Sequence, residues 1–227
     1  MYGTIVVFGI LCLPLLLMPY RWNVALVHWW TGMVLSAFER FIGVQTVIKG
    51  EENLPDGNFF IAMKHQAMWE TLKVNHLFDN PAIVLKQELM WIPIFGWWAA
   101  KLRMISVDRG AHAKALRKML NEAKRECQAG RKIVIFPQGT RTPPGTKNPY
   151  KPGVAAIYKT LNVPVVPAAV TSGLCWPKKG YGYTPGTITV EFLPPIPPGL
   201  PRKEFMAELE SRIETATDRL VAEAGAS

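Results

Sequence analysis

Among the first 38 residues only Arg21 carries a charge, and no other stretch restricts the fold as much. "MYGTIVVFGILCLPLLLMPY" is uncharged, and "WNVALVHWWTGMVLSAF" runs from Trp22 to Phe38 before Glu39 and Arg40 end it. A helix needs roughly 20 apolar residues to cross a ~30 Å hydrocarbon core, so each run is at the lower limit. Pro19-Tyr20-Arg21 reads as a break between two helices. Tyr20, Trp22, Trp29 and Trp30 suit headgroup depth, where an aromatic ring can be half apolar and half wet. A secretory leader fits poorly, because no cationic segment precedes the run and no small-residue cleavage site follows it. The expectation is an N-terminal hydrophobic helical hairpin over 1–42 that attaches to a membrane. It either dips into one leaflet or forms two short spans, and helices buried in a soluble core are the alternative.

The 227 residues leave room for one sizeable α/β domain, 43–227. Apolar residues make up 49%, too few for a multi-span transporter. The net charge of +9 is concentrated: between Lys101 and Lys151 there are 13 Lys and Arg against Asp108, Glu122 and Glu126. Such a middle fits an anionic partner, whether nucleic acid, lipid headgroup or phosphorylated substrate, or else a solvated face. No helix-turn-helix, zinc-finger or RNA-binding signature is present, so nucleic acid is not expected. Cys12, Cys127 and Cys175 are odd in number and far apart, which indicates neither a disulfide framework nor a zinc site and favours a reducing compartment.

Past Gly43 the pattern alternates. "VQTVIKG", "NFFIAMK", "AIVLK", "KIVIFP", "VPVVPAAVT" and "TITVEFL" read as strands. "AHAKALRKMLNEAKRECQAG" puts Leu116, Met119, Leu120, Ala123 and Cys127 at helical spacing and ends at Gly130; "GVAAIYKTLN" is a second helix. A last helix carries Phe205, Leu209, Ile213, Ala216 and Leu220 on one face, after the stiff segment "PPIPPGLP". The fold class is α/β: a central mixed, largely parallel sheet flanked by helices, with the N-terminal two-helix hairpin. Trp91, Phe95, Trp97 and Trp98 read as core or membrane contacts.

Chemistry in such sheets gathers at strand ends. In "FFIAMKHQAMWET", His65 follows a strand and Glu70 falls early in the next helix. Residues five apart on a straight helix diverge by about 140°, so the two meet only if His65 lies before the helix and curls back. If they meet, the imidazole can take a hydroxyl proton while the carboxylate fixes its tautomer. No G-x-S-x-G or other marked nucleophile is present, so the hydroxyl belongs to the substrate. "IVIFPQGTR" empties a buried strand into a glycine turn bearing Arg141, a grip for phosphate or else a plain turn with a surface arginine. Lys86 and Arg109 also follow short strands and can point to the same edge.

These pieces in this order resemble the glycerolipid acyltransferase family, specifically the bacterial 1-acyl-sn-glycerol-3-phosphate acyltransferases. "KHQAMWE" is similar to the family's N-H-x4-D. "KQELMWIPIFGWWAAKLRMISVDR" resembles its Lys-x-Glu-Leu, Pro-x-x-Gly-Trp and Ile-x-x-x-Arg pattern. "FPQGTR" resembles F-P-E-G-T-R, and "VPVVPAAV" its Val-Pro strand. The resemblance covers roughly residues 43–193, and the two N-terminal helices look like the membrane-binding hairpin of bacterial members. It implies that a fatty acyl group passes from a coenzyme A or acyl carrier protein thioester to the 2-hydroxyl of lysophosphatidic acid, making phosphatidic acid for phospholipid synthesis. It implies His65 as general base and Glu70 as its orienting carboxylate. Lys86, Arg109 and Arg141 would bind the phosphate, with Gly139 and Thr140 shaping the turn. It implies no cofactor and no metal, membrane lipids as partners, and the cytoplasmic side of a bacterial inner membrane. Two departures stand out: Glu70 replaces Asp, and Gln138 replaces Glu. The second makes Gln138 a candidate acceptor contact and raises an alternative acceptor, a lyso-ornithine lipid or another lysophospholipid.

Overall fold

The computed structural model describes residues 2–108, 113–177 and 182–225. Each apolar run becomes a strand: β1 (Val44–Lys49), β2 (Phe60–Met63), β3 (Ala82–Lys86), β4 (Ile105–Val107), β5 (Ile133–Ile135), β6 (Val165–Val170) and β7 (Gly186–Phe192). They form one sheet in the order β1-β7-β6-β2-β5-β3-β4. From β6 through β4 every neighbouring pair is parallel. β7 runs antiparallel to β6, and β1 lies parallel to β7 at the edge. The chain therefore leaves β2, β3, β4, β5 and β6 at the same edge of the sheet. The site is built there.

The central strands are buried on both faces, which is why they read as unbroken apolar runs. Side chains alternate across the sheet. Ile61, Met63, Val134 and Val166 face α2 (Tyr20–Ile42) and α3 (Trp69–Leu77). Phe60, Ala62, Ile133 and Val165 face α5 (Ala113–Gln128), α6 (Gly153–Leu161) and α8 (Arg202–Gly225). Phe205, Leu209, Ile213, Ala216 and Leu220 of α8 are buried as their spacing predicts. Leu116 of α5 departs from its expected stripe and is 42% exposed. Three short helices complete the fold: α1 (Tyr2–Leu11), α4 (Phe95–Lys101) and α7 (Ser172–Cys175).

The break between the two N-terminal helices is a 3₁₀ turn, Leu13–Leu17, ahead of Pro19. α2 ends at Gly43, whose φ of 77° lets its N–H close on the Glu39 carbonyl at 3.0 Å. α2 is joined to the sheet domain: Trp30, Leu35 and Phe38 are buried in the shared core, each contributing roughly 1.5–3 kcal/mol. α1 wedges between α2 and α4. Phe8 stacks on Trp30 at 5.3 Å, and a Cβ on Gly9 would fall 2.4 Å from Ile94 Cγ2, so the wedge needs a glycine. Ile94 itself holds φ at 69°, a costly conformation for a β-branched residue. Among the described residues no helix is long and apolar enough to cross a membrane.

Candidate active site

β2 stops at Met63 and α3 starts at Trp69, which leaves His65 in the intervening turn and Glu70 in the first turn of the helix. The glutamate bends back along that turn. Its Oε1 accepts from the Gln66 N–H at 2.9 Å and its Oε2 from the Ala67 N–H at 3.0 Å. Ser172, at the start of α7, donates its hydroxyl to Oε1. Glu70 is fully buried, and these donors give its carboxylate one orientation. His65 Nδ1 is buried without a hydrogen bond and lies 3.5 Å from Glu70 Oε2. That is just beyond hydrogen-bond length. So the Glu70 side chain, one methylene longer than Asp, faces the imidazole while accepting from the backbone of the turn that precedes the helix.

The second wall comes from the segment after β5. The Phe136 ring stacks on the His65 imidazole, with centroids 4.1 Å apart and planes 22° from parallel. Gly139 turns the chain with φ at 64°, and its N–H bonds the Phe136 carbonyl at 2.8 Å. The Thr142 N–H then donates to the His65 carbonyl at 2.7 Å, which ties the two loops together. Gly139, Thr140 and Arg141 are half-buried and immediately precede that tie. Lys86 ends β3, next to β5 in the sheet, so it leaves from the same edge. Arg109 lies outside the described residues.

Gln138 requires a correction. Its motif position makes it a candidate acceptor contact, but its side chain is 2% exposed and turns inward. Its Nε2 donates to the Asn148 carbonyl at 3.3 Å and to Glu214 Oε1 at 3.4 Å. Lys64, also 2% exposed, donates to both oxygens of Glu214, at 2.8 and 2.6 Å. Tyr150 donates to Glu214 Oε1 at 2.9 Å. Burial, then the adjacent carboxylate, pushes the Tyr150 hydroxyl far above its ordinary range, so it stays a donor. The alternative acceptor therefore loses the residue that suggested it.

Sequence reasoning missed Ser172, Gln66, Lys64 and Glu214. Gln66 is buried, and its Oε1 accepts from the Gly173 N–H at 2.9 Å. A Cβ at Gly173 would meet Pro144 at 2.6 Å, so α7 can approach this closely only through a glycine. None of these residues stands out locally, because each meets its partner more than 100 residues away in the chain. Trp98 is buried as core, whereas Trp91, Phe95 and Trp97 face outward, 72%, 37% and 53% exposed.

A model of the acyltransferase family matches residues 45–171. A 1-acyl-sn-glycerol-3-phosphate acyltransferase of Pseudomonas aeruginosa is 34% identical over 181 residues, covering 80% of this chain and 70% of its own. A Limnanthes alba protein of the same name is 28% identical over 198 residues, covering 85% of this chain and 69% of its own. The crystal structure of the 1-acyl-sn-glycerophosphate acyltransferase PlsC from Thermotoga maritima superposes with a TM-score of 0.74 at 24% identity. That match covers 96% of this chain and 90% of the other, and it bears on the fold. With the matched region running from β1 to the residue before Ser172, and with a relative this similar, the chain belongs to the acyltransferase family.

Proposed function

We propose that the chain transfers a fatty acyl group from an acyl thioester to the 2-hydroxyl of 1-acyl-sn-glycerol-3-phosphate, yielding phosphatidic acid. The observation that carries this reading is the His65 imidazole, set between the Glu70 carboxylate and the Phe136 ring beside a glycine turn with Arg141. The names of the relatives support the acceptor. With Nδ1–H toward Glu70, the other ring nitrogen takes the hydroxyl proton as the oxygen attacks the thioester carbonyl. A C–O bond forms, the C–S bond breaks, and the imidazolium returns its proton to the leaving thiolate. Glu70 offsets the imidazolium charge in between. Lys86, Arg109 and Arg141 are assigned to the phosphate, and Gly139 and Thr140 to the shape of the turn. The donor is a coenzyme A or acyl carrier protein thioester, and the chemistry calls for neither metal nor cofactor.

The N-terminal unit, 1–42, is assigned to holding the enzyme on a bacterial inner membrane with the site toward the cytoplasm. Support comes from Leu17, Phe41, Leu11 and Trp91, which are 91%, 80%, 74% and 72% exposed and form apolar surface that water does not favour. Trp22, Trp29 and Trp97 are exposed as well, ring types that settle at headgroup depth.

The test is lysophosphatidate-dependent thiol release by purified protein in detergent, beside His65→Ala. The expected loss in the variant is roughly 100- to 10,000-fold. Full transfer by the variant would remove His65 as the base. Release driven better by lyso-ornithine lipid or another lysophospholipid would replace the acceptor.

A further inference from the structure

Glu214 is 150 residues from Lys64, yet its carboxylate is where the two loops of the site meet. Lys64 immediately precedes His65. Gln138 immediately precedes Gly139, two residues after the Phe136 ring that stacks on the imidazole. Both side chains turn away from the substrate edge and end on Glu214, with Tyr150 as a third donor. The carboxylate thus fixes how far the base-bearing turn stands from the glycine turn. It does so from the opposite layer of the molecule.

The charge count explains the residue types. Among the described residues the buried part of this cluster holds one cation, Lys64, and one carboxylate, Glu214, at side-chain exposures of 2% and 8%; Lys147, which also feels the Glu214 charge, is exposed and paired with Asp218. A carboxylate at position 138 would stand where the Gln138 amide now lies 3.4 Å from Glu214, with no second buried cation beside it among the described residues to neutralise it. Two like charges that close in a low-dielectric site repel strongly. An amide of the same shape can donate instead.

We propose that Lys64, Gln138 and Glu214 act as one positioning unit for His65, in which α8 sets the spacing of the two loops and residue 138 must be neutral. The proposal rests on the acyl-transfer reading above. The test compares wild type, Gln138→Glu, Glu214→Gln and the double variant, assayed with one acyl thioester and lysophosphatidate in detergent, with thermal unfolding measured alongside. Gln138→Glu is expected to lose roughly 100-fold in kcat, the scale of a small misplacement, with KM for lysophosphatidate little changed. The double variant moves the single carboxylate from 214 to 138 and is expected to regain most of that loss and of the melting temperature. If Gln138→Glu fails to fold, recovery of folding and kcat in the double variant supports the charge count.

A Gln138→Glu protein with wild-type kcat overturns the proposal. So does a double variant as impaired as the two single changes combined, in activity or in melting. A unit that merely stabilises the fold would lower the melting temperature and leave kcat per folded molecule intact, which also overturns it. Absence of transfer by a well-folded wild-type protein removes the acyl-transfer reading, and the positioning role with it. Transfer by wild type with an unimpaired Gln138→Glu removes the positioning role alone.

Discussion

α2 and α8 are nearly equal in length, 23 and 24 residues, and each buries an apolar stripe against one face of the same sheet. Their outward faces are opposites. α2 exposes Trp22, Trp29, Met33 and Phe41. α8 presents ion pairs: Arg212 with Glu208, Arg219 with Glu191 and Glu223, and Asp218 with Lys147. The inward stripe of a helix tells only that it packs; the outward face tells what surrounds it. The two also meet the elements around His65 from different sides. α8 grips Lys64 through one buried charge. α2 leans on α3, where His28 Nδ1 donates to the Asn75 carbonyl at 2.9 Å, Thr31 Oγ lies 2.9 Å from His76 Nε2, and the two imidazoles stand 4.1 Å apart.

The contrast can be broken most decisively at Glu214. Replacing it with Ala strands a buried ammonium, and the expected cost is about 3–5 kcal/mol, read by denaturant unfolding. A cost below about 1 kcal/mol would mean that the buried charge adds little to the seating of α8, which would then rest on its apolar stripe and surface pairs. The outer face of α2 gives the next effect. Trp22→Ser with Trp29→Ser is expected to lower partitioning onto phosphatidylglycerol vesicles about tenfold or more while barely moving the melting temperature. The reverse outcome, unchanged partitioning and a lower melting temperature, would make that face a packing surface.

The smallest expected effect sharpens the bracing at α3. Burial, then the charges of His28 and Lys73, hold the His76 imidazole below its ordinary value of 6.5. Between that lowered value and 6.5 the unfolded chain binds more protons than the folded one, so stability rises with pH there. The α2–α3 contact is thus fully stabilising above about 6.5 and weakens as pH falls toward the folded value. His76→Gln should flatten the dependence of unfolding free energy on pH between about 5 and 7. An unchanged slope would assign that dependence to other groups.

What the sequence revealed follows the range of the interactions. The strands and the face of α8 were legible because burial repeats at short periods. The meeting of His65 and Glu70 was legible as a geometric condition, and the turn before α3 meets it. Ser172 and Glu214 act across 102 and 150 residues, and a polar residue gives no periodic signal of such a partner. Gln138 misled for the same reason: its place in a motif beside the site implied contact with substrate, whereas its direction was set by a carboxylate on the last helix. Trp97 and Trp98 are neighbours of one type with opposite surroundings, and only the seating of α4 separates them.

The Lys64–Glu214 pair has a consequence in time as well as in space. The turn that carries His65 belongs to the first third of the chain, and one of its anchors is made about 150 residues later. Closing so long a loop is slow, because the chain entropy must be surrendered before the contact repays it. Until α8 docks, the ammonium of Lys64 has no counter-charge and favours water over the interior. In a growing chain the His65 turn therefore exists long before its counter-charge, and Glu214 can close on Lys64 only once α8 has been made.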